Sequence, residues 1–221
     1  MISILYVAAI FVLLKKSNFF EFEGIKKIDI YKAFLIHLVA GIVLYIIYTE
    51  YYQERYTSDI FKFYDDSLVL YNLFFENTAD FFKIFLGFNK NENSVLNNHL
   101  LEMNHWDSSY SNSFMNETRL LIKINAILNI IGFKSYVFNL ISFILIGFIG
   151  KLLILKSVIK EFELKNLKIL FWTIFLMPSI LIWTSGILKE PLIIFSFGII
   201  TYSLTYKLKN NLINLFLLIL G

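Results

Sequence analysis

The most regular feature of this chain is a series of uninterrupted apolar runs separated by short charged segments. A helix that crosses a bilayer needs about 20 mainly apolar residues, and it satisfies its own backbone hydrogen bonds inside hydrocarbon. Runs of this kind predict helical spans at roughly 2–14, 33–49, 136–155, 167–185, 191–206 and 210–221. The pattern therefore predicts an all-α fold, a polytopic transmembrane helix bundle.

The first and the last of these runs are short. Lys15 and Lys16 follow the first run, which is the wrong side for the basic residues of a cleaved signal peptide, so we interpret it as a retained span. The last run stops at Gly221 after about a dozen residues, which is too few to cross a bilayer. We therefore expect residues 1–221 to be a single transmembrane domain that is a fragment of a longer protein.

Composition supports a lipid environment and excludes several kinds of site. Hydrophobic residues make up 57% of the chain and charged residues only 17%, which is too few to solvate a globular surface. Without cysteine, disulfides and thiolate metal sites are excluded, and the three histidines lack the spacing of metal ligands. No cofactor is required by the sequence, although a divalent metal held by carboxylates stays open. Because the basic residues lie at span ends rather than in one patch, no nucleic acid partner is expected.

The lysines also predict an orientation. They concentrate in three loops, which the positive-inside rule places in the cytoplasm. The first loop contains Lys15, Lys16, Lys26, Lys27 and Lys32, the second contains Lys151, Lys156, Lys160, Lys165 and Lys168, and the third contains Lys207 and Lys209. The long segment 50–135 must then face outward, and residues 50–118 carry eleven acids against four bases. We predict a multi-pass membrane protein with its long loop on the non-cytoplasmic side.

This outer loop has three parts. Aromatic residues crowd its first part, residues 61–88, which predicts a helix lying in the membrane interface. Residues 89–113 are rich in Asn, Ser and acids, which is typical of an exposed connection. Residues 119–131 form a further apolar run that is too short to span and is followed by Gly132, which predicts a second interfacial helix.

Three acids at the start of the outer loop are the first candidate for chemistry. Asp59 and Asp66 are seven residues apart, so a helix would place them on one face, and Asp65 is adjacent. Lys62 is four residues before Asp66, a spacing at which the two side chains can pair. A carboxylate at the membrane surface could act as a general base or a metal ligand. The alternative is an acidic, solvated loop with an ordinary ion pair.

The second candidate is the short turn from Trp183 to Pro191. Proline suits the first turn of a helix, so a span beginning here would direct the positive end of its dipole toward Lys189. That combination predicts a phosphate site at the outer surface, with Glu190 beside it. The alternative is that Lys189 and Glu190 only reach for water and that Trp183 anchors the helix at the interface.

The third candidate is a pair of cations on the second interfacial helix. Arg119 and Lys123 are four residues apart and share one helical face, which could hold a phosphate or pyrophosphate. The alternative is a general attraction to anionic lipid headgroups.

His37 and Asn139 lie inside predicted spans, and we interpret both as structural because one interhelical hydrogen bond would account for each.

These residues also carry a resemblance. The chain resembles bacterial polytopic membrane proteins related to the GT-C type glycosyltransferases, and the similar motifs are Tyr48-Thr-Glu-Tyr-Tyr, Asp59-x-x-x-Phe63-x-Asp65-Asp66, Asn116-x-x-Arg119 and Pro178-Ser179-Ile-Leu-Ile-Trp183-Thr-Ser185-Gly186-x-x-Lys189-Glu190. Such enzymes use a polyprenyl-phosphate sugar donor and keep an acidic residue in the first large outer loop. The resemblance covers residues 45–206 and implies that Asp59 or Asp66 is the catalytic acid residue.

The sequence-based hypothesis is therefore a membrane hexosyltransferase. It would move a sugar from a polyprenyl-phosphate-linked donor to an acceptor at the outer face of the inner membrane, with membrane lipid around it. Two alternatives stay open: a transporter, flippase or polymerase of lipid-linked saccharides, and a non-catalytic membrane subunit that docks a partner. A transporter would use the same phosphate-binding groups without a catalytic acid.

Overall fold

Ten α-helices and two short 3-10 helices, Asn18–Phe20 and Arg55–Thr57, form the described part of this chain in a computed structural model. The structure describes residues 2–52, 55–87, 94–106, 116–163 and 165–206, and the predicted span at 210–221 lies outside them. The helices are α1 (Ile2–Lys16), α2 (Lys27–Glu50), α3 (Asp59–Glu76), α4 (Thr78–Phe85), α5 (Ser94–Leu101), α6 (Glu117–Gly132), α7 (Tyr136–Glu161), α8 (Leu167–Leu176), α9 (Pro178–Trp183) and α10 (Glu190–Tyr206). No β-strand occurs in these ranges, so the predicted all-α fold class is confirmed.

Two helices are long and apolar enough to cross a membrane. They are α2 with 24 residues and α7 with 26 residues. At about 1.5 Å per residue both exceed the roughly 30 Å of a hydrocarbon core. In contrast, α1 has 15 residues and α10 has 17. The described helices therefore indicate association with a membrane, whereas the polytopic bundle stays a prediction.

The predicted span at 167–185 is interrupted. Met177 separates α8 from α9 with φ −56° and ψ 116°, outside the helical region. Proline causes the break, because Pro178 has no N–H to donate and its ring disfavours a helical conformation at the preceding residue. The prediction of one continuous span here is wrong, because it relied on the length of the apolar run and neglected the proline within it.

Contacts between residues divide the chain into two compact units. The first comprises the described residues of Met1–Tyr45 and Leu140–Gly221, and the second those of Ile46–Asn139. The second unit covers most of the segment predicted as the outer loop. Each unit has a buried core of its own and is described by itself below.

Small residues let the helices of the first unit approach closely. A Cβ atom at Gly198 of α10 would lie 2.5 Å from the carbonyl oxygen of Gly150 on α7. A Cβ atom at Gly150 would lie 2.6 Å from the backbone of Phe195. Such backbone contacts at small residues are a main source of helix association in lipid, where burying apolar side chains gains little.

The turn from Thr184 to Leu188 is buried against the middle of the long helices. Its residues are almost inaccessible to solvent. A Cβ atom at Gly41 of α2 would lie 2.6 Å from the carbonyl oxygen of Ser185, and one at Gly147 of α7 would lie 3.3 Å from that of Thr184. Gly41 and Gly147 both occupy the middle third of their helices. This placement differs from the outward-facing surface turn that the sequence predicted.

Lys151 is also not where the lysine pattern placed it. The prediction assigned it to a cytoplasmic loop, but α7 continues to Glu161 and only 1% of Lys151 is exposed. Burial is possible because the side chain finds a neutral acceptor, the ring nitrogen Nε2 of His37, at 2.7 Å. The interpretation of Lys151 as a loop residue is therefore wrong.

In the second unit, α3 packs along α6. Phe61, Phe63 and Tyr64 of α3 are buried, and Phe61 and Tyr64 pack on Tyr136, whereas Phe75 and Phe82 are exposed. The aromatic run predicted as an interfacial helix is thus partly protein core. One face of α3 packs inside the unit, and the opposite face is exposed. Residues 94–106 differ from the predicted exposed connection as well: they form α5 and then bury Met103.

A buried polar ladder fixes the register of α3, α6 and the first turn of α7. Asn139 Nδ2 donates to Oδ1 of Asn125 at 3.0 Å and to Oδ1 of Asn129 at 3.2 Å. Asn129 Nδ2 donates to the hydroxyl of Ser67 at 2.8 Å, and that hydroxyl donates to the carbonyl oxygen of Tyr64. Because each partner is buried, displacing one amide would leave polar groups unsatisfied, so the ladder resists sliding of α6 along α3.

Candidate functional site

Asp66 is the predicted acid that the fold buries. Its side chain leaves the inner face of α3 with 3% of its surface exposed. The carboxylate accepts the backbone N–H of Asn104 at 3.1 Å and that of His105 at 2.7 Å, and His105 Nδ1 lies 3.4 Å away. Burial raises the pKa of Asp66 above its ordinary value, against the opposing effect of these donors and of His105. A buried carboxyl group of this kind suits proton transfer.

The segment that Asp66 holds carries a buried tryptophan. Trp106 is 6% exposed, and its ring faces two cations from α6. The guanidinium carbon of Arg119 lies 5.2 Å from the ring centre and Nζ of Lys123 lies 6.0 Å from it. Lys123 also lies 5.7 Å from the ring centre of Phe85. Both cations are therefore oriented by aromatic faces, which attract them through the ring quadrupole.

The two cations also influence each other. Arg119 is 7% exposed and Lys123 is 4% exposed. Burial lowers the pKa of Lys123, and the nearby charge of Arg119 lowers it further. An anion beside this pair would offset the repulsion between the two charges, because it supplies the opposite charge that neighbouring cations favour. Phosphate binding by Arg119 and Lys123 stays a prediction.

The cap of α6 sets the positions of both cations. Asn116 accepts the backbone N–H of Arg119 at 2.7 Å and so begins the helix just before the cation pair. The helix ends at Phe133, whose φ of 53° is left-handed. The predicted short helix over 119–131 is thus confirmed, although its location at a membrane interface stays a prediction.

Asp59 is exposed and Asp65 is partly exposed, and both are paired with neighbouring cations. Asp59 binds Lys62 at 2.5 Å, and Asp65 forms two hydrogen bonds of 2.8 Å with the guanidinium of Arg55. The sequence suggested Lys62 as a neighbour of Asp66, but Lys62 pairs with Asp59, while Asp66 binds the backbone of Asn104 and His105. Of the three predicted acids, Asp66 is the one connected to Arg119 and Lys123, through the segment that carries Trp106.

Lys189 and Glu190 belong to the first unit, whereas the three acids and the α6 cations belong to the second. Helix α10 begins at Glu190 with Pro191 in its first turn, as the sequence predicted. The carbonyl oxygen of Lys189 accepts the N–H groups of Leu192 and Ile193, both at 3.0 Å, and its side chain is exposed. A phosphate site at this helix start stays a prediction.

The described residues contain no ligand set for a metal. No three His, Asp or Glu side chains in those ranges lie close enough together to share an ion. The divalent metal that the sequence left open therefore gains no support from them.

Two residues of the site were missed from the sequence. His105 and Trp106 lie in the segment interpreted as an exposed connection. The available signal was Met103 with Trp106, two large apolar residues three apart in a polar stretch, which is a spacing that buries both on one side.

Comparisons with protein families, with curated proteins and with solved structures give no match to this chain.

Proposed function

We propose that this protein is a membrane glycosyltransferase that uses a polyprenyl-phosphate-linked sugar. The observation that carries the proposal is the cluster of Asp66, Arg119, Lys123 and Trp106 in the second unit. It combines a buried carboxyl group with two cations that would bind the donor phosphate and with the ring of Trp106, which lies beside both cations. The two long apolar helices support a lipid-linked substrate, because such a donor is confined to the membrane.

In the proposed reaction, an acceptor hydroxyl attacks the anomeric carbon of the donor sugar. The bond between that carbon and the phosphate oxygen breaks, and its electron pair leaves with the polyprenyl phosphate. The proton of the hydroxyl passes to the carboxylate of Asp66, whose raised pKa favours accepting it. Arg119 and Lys123 stabilise the growing negative charge on the departing phosphate. Lys189 and Glu190 are not needed for these steps, and their predicted part in phosphate binding stays a separate prediction.

The remaining features of the proposal concern location. The protein would be multi-pass in a bacterial inner membrane, with the second unit on the non-cytoplasmic side where lipid-linked sugars are used. The exposed aromatic residues Phe75 and Phe82 support contact of this unit with lipid, because large apolar side chains on a surface favour the membrane boundary.

The test compares transfer with donor binding in the protein reconstituted in liposomes. Polyprenyl-phosphate hexoses serve as donors, and release of polyprenyl phosphate measures transfer. Asp66→Asn should lower transfer on the order of 100-fold or more while donor binding persists, because it removes the proton acceptor. Arg119→Met should weaken binding and transfer together.

Asp65→Asn is the matched control, since it removes an acid one residue away that is partly exposed and paired with Arg55. Equal transfer by the Asp65 and Asp66 variants, both near the wild-type rate, would refute the catalytic assignment of Asp66. Transfer that failed only with Asp59→Asn would move the role to that acid.

A second candidate, a transporter of lipid-linked saccharides, is favoured by one observation in the first unit. The interrupted helix α8–α9 and the buried turn that follows pack against the middle of α2 and α7. Many secondary transporters build their substrate sites from broken helices near the bilayer midplane. Movement of an intact donor across the liposome membrane, unchanged by Asp66→Asn, would favour this candidate over the transferase.

A further inference from the structure

The two long apolar helices share one buried pair of titratable side chains. His37 projects from α2 and Lys151 from α7, and their exposed fractions are 0% and 1%. Nζ of Lys151 lies 2.7 Å from Nε2 of His37. Titratable groups inside membrane-crossing helices are rare because burying them is costly, so they commonly serve proton or ion pathways.

The backbone fixes which ring nitrogen of His37 faces the lysine as an acceptor. Nδ1 lies 2.7 Å from the carbonyl oxygen of Ala33, one helical turn earlier, and a carbonyl can only accept. Nδ1 must therefore carry a proton, which leaves Nε2 of the neutral ring as an acceptor for Lys151. If Lys151 is already an ammonium, a second proton on the ring would place an N–H group 2.7 Å from that positive charge. Relative to the state in which both side chains are neutral, the pair can therefore hold one extra proton and no more.

The surroundings of the pair are aromatic. The ring of His37 lies 5.5 Å from that of Phe148 on α7 and 5.8 Å from that of Phe175 on α8, both edge-on. Nζ of Lys151 lies 6.0 Å from the centre of the Phe175 ring. These rings attract a cation weakly but supply no negative charge, so the protonated state is poorly compensated.

Two other charged groups on these helices are engaged elsewhere, and a third, Glu190 at the start of α10, makes no contact with the pair among those of the described residues. On α2, Asp29 lies 3.9 Å from Lys168 of α8, and it is two helical turns away from His37. On α7, Lys156 lies over the rings of Phe19 and Phe22. Among the contacts formed by the described residues, no carboxylate reaches the pair, so its charge changes by one whenever a proton enters.

We infer that His37 and Lys151 form a proton-binding site inside the membrane-crossing helix pair. In the unloaded state a neutral lysine amine and a neutral imidazole share one hydrogen bond. In the loaded state the ammonium donates to Nε2 and the site carries one positive charge among aromatic rings. Loading therefore changes the charge of the contact between α2 and α7 by one while the hydrogen bond between the two side chains is kept. The inference does not depend on the proposed transferase activity.

The test observes both nitrogens directly by solid-state nitrogen-15 NMR. The whole protein, carrying labelled lysine side chains and histidine rings, is reconstituted in lipid and titrated between pH 5 and 10. The Lys151 signal is identified in the wild type by its short distance to His37 Nε2, and its loss in Lys151→Met verifies the assignment. Lys156→Met is the matched control, since it removes a partly buried lysine of the same helix that does not touch the pair.

We expect the Lys151 signal to move between the amine and ammonium positions in one step. The Nε2 signal of His37 should shift in that same step while Nδ1 keeps its proton, and Lys156→Met should leave the step in place. An ammonium signal throughout the range would overturn the inference, because the pair would then be a permanent charge. An amine signal throughout, or two separate steps that end with both groups charged, would overturn it equally.

Discussion

Replacing Asp66 by alanine should release the segment that carries Trp106. The carboxylate accepts two backbone N–H groups, at 3.1 Å from Asn104 and 2.7 Å from His105. Each hydrogen bond to a charged acceptor contributes about 1.5–3 kcal/mol, and part of this is offset because the carboxylate is buried. We therefore expect Asp66→Ala to cost about 2–4 kcal/mol in the local opening free energy of residues 103–106.

Hydrogen exchange at the amides of Asn104 and His105 measures this cost. A change of 1.4 kcal/mol corresponds to a factor of ten, so exchange at both amides should accelerate about 30- to 700-fold. Asp66→Asn should fall between alanine and wild type, because the amide oxygen can accept one N–H while its NH2 group opposes the other. The Asp65→Asn variant is the control and should leave exchange at both amides unchanged, because Asp65 pairs with Arg55 instead.

Two results would contradict this reasoning. Equal exchange in Asp66→Ala and the wild type would mean that the carboxylate does not hold the segment in solution. Acceleration across all of α3 and α6 together would mean that alanine unfolds the whole second unit, and the Asn variant would then supply the local measurement.

Three further predictions concern stability, measured by denaturation in detergent. Burial raises the pKa of Asp66, so the folded state binds this proton more tightly than the unfolded state does. Wild-type stability should therefore fall as the pH rises from the ordinary pKa of 3.8 through the raised pKa, and Asp66→Asn should lack this loss. Gly150→Ala places a Cβ atom 2.6 Å from the α10 backbone and should cost about 1–3 kcal/mol, whereas Gly147→Ala, with its nearest atom at 3.3 Å, should cost less. Tyr64→Phe removes a 2.6 Å bond to the carbonyl oxygen of Lys134 and should cost about 1 kcal/mol. An unchanged midpoint in either case would contradict the corresponding contact.

Local signals account for the helices that the sequence predicted well. Helix α6 begins where Asn116 caps it and ends at the Gly132–Phe133 step, and both signals are short-range properties of the chain. Pro191 likewise occurs in the first turn of α10. The proline that breaks α8 from α9 was equally visible, but the long apolar run around it dominated the interpretation.

The sequence by itself determined the helical fold class, the apolar character of the long helices and the set of candidate charges. Only the tertiary structure decided which charges act together. Asp66 meets residues 38 and 39 positions later in the chain, and Lys151 meets a histidine 114 positions earlier. Helical periodicity gives the direction of a side chain relative to its own helix, but its partner depends on how distant segments pack. That is why three acids of one short segment look equivalent in the sequence, while the fold exposes Asp59, leaves Asp65 partly exposed and buries Asp66.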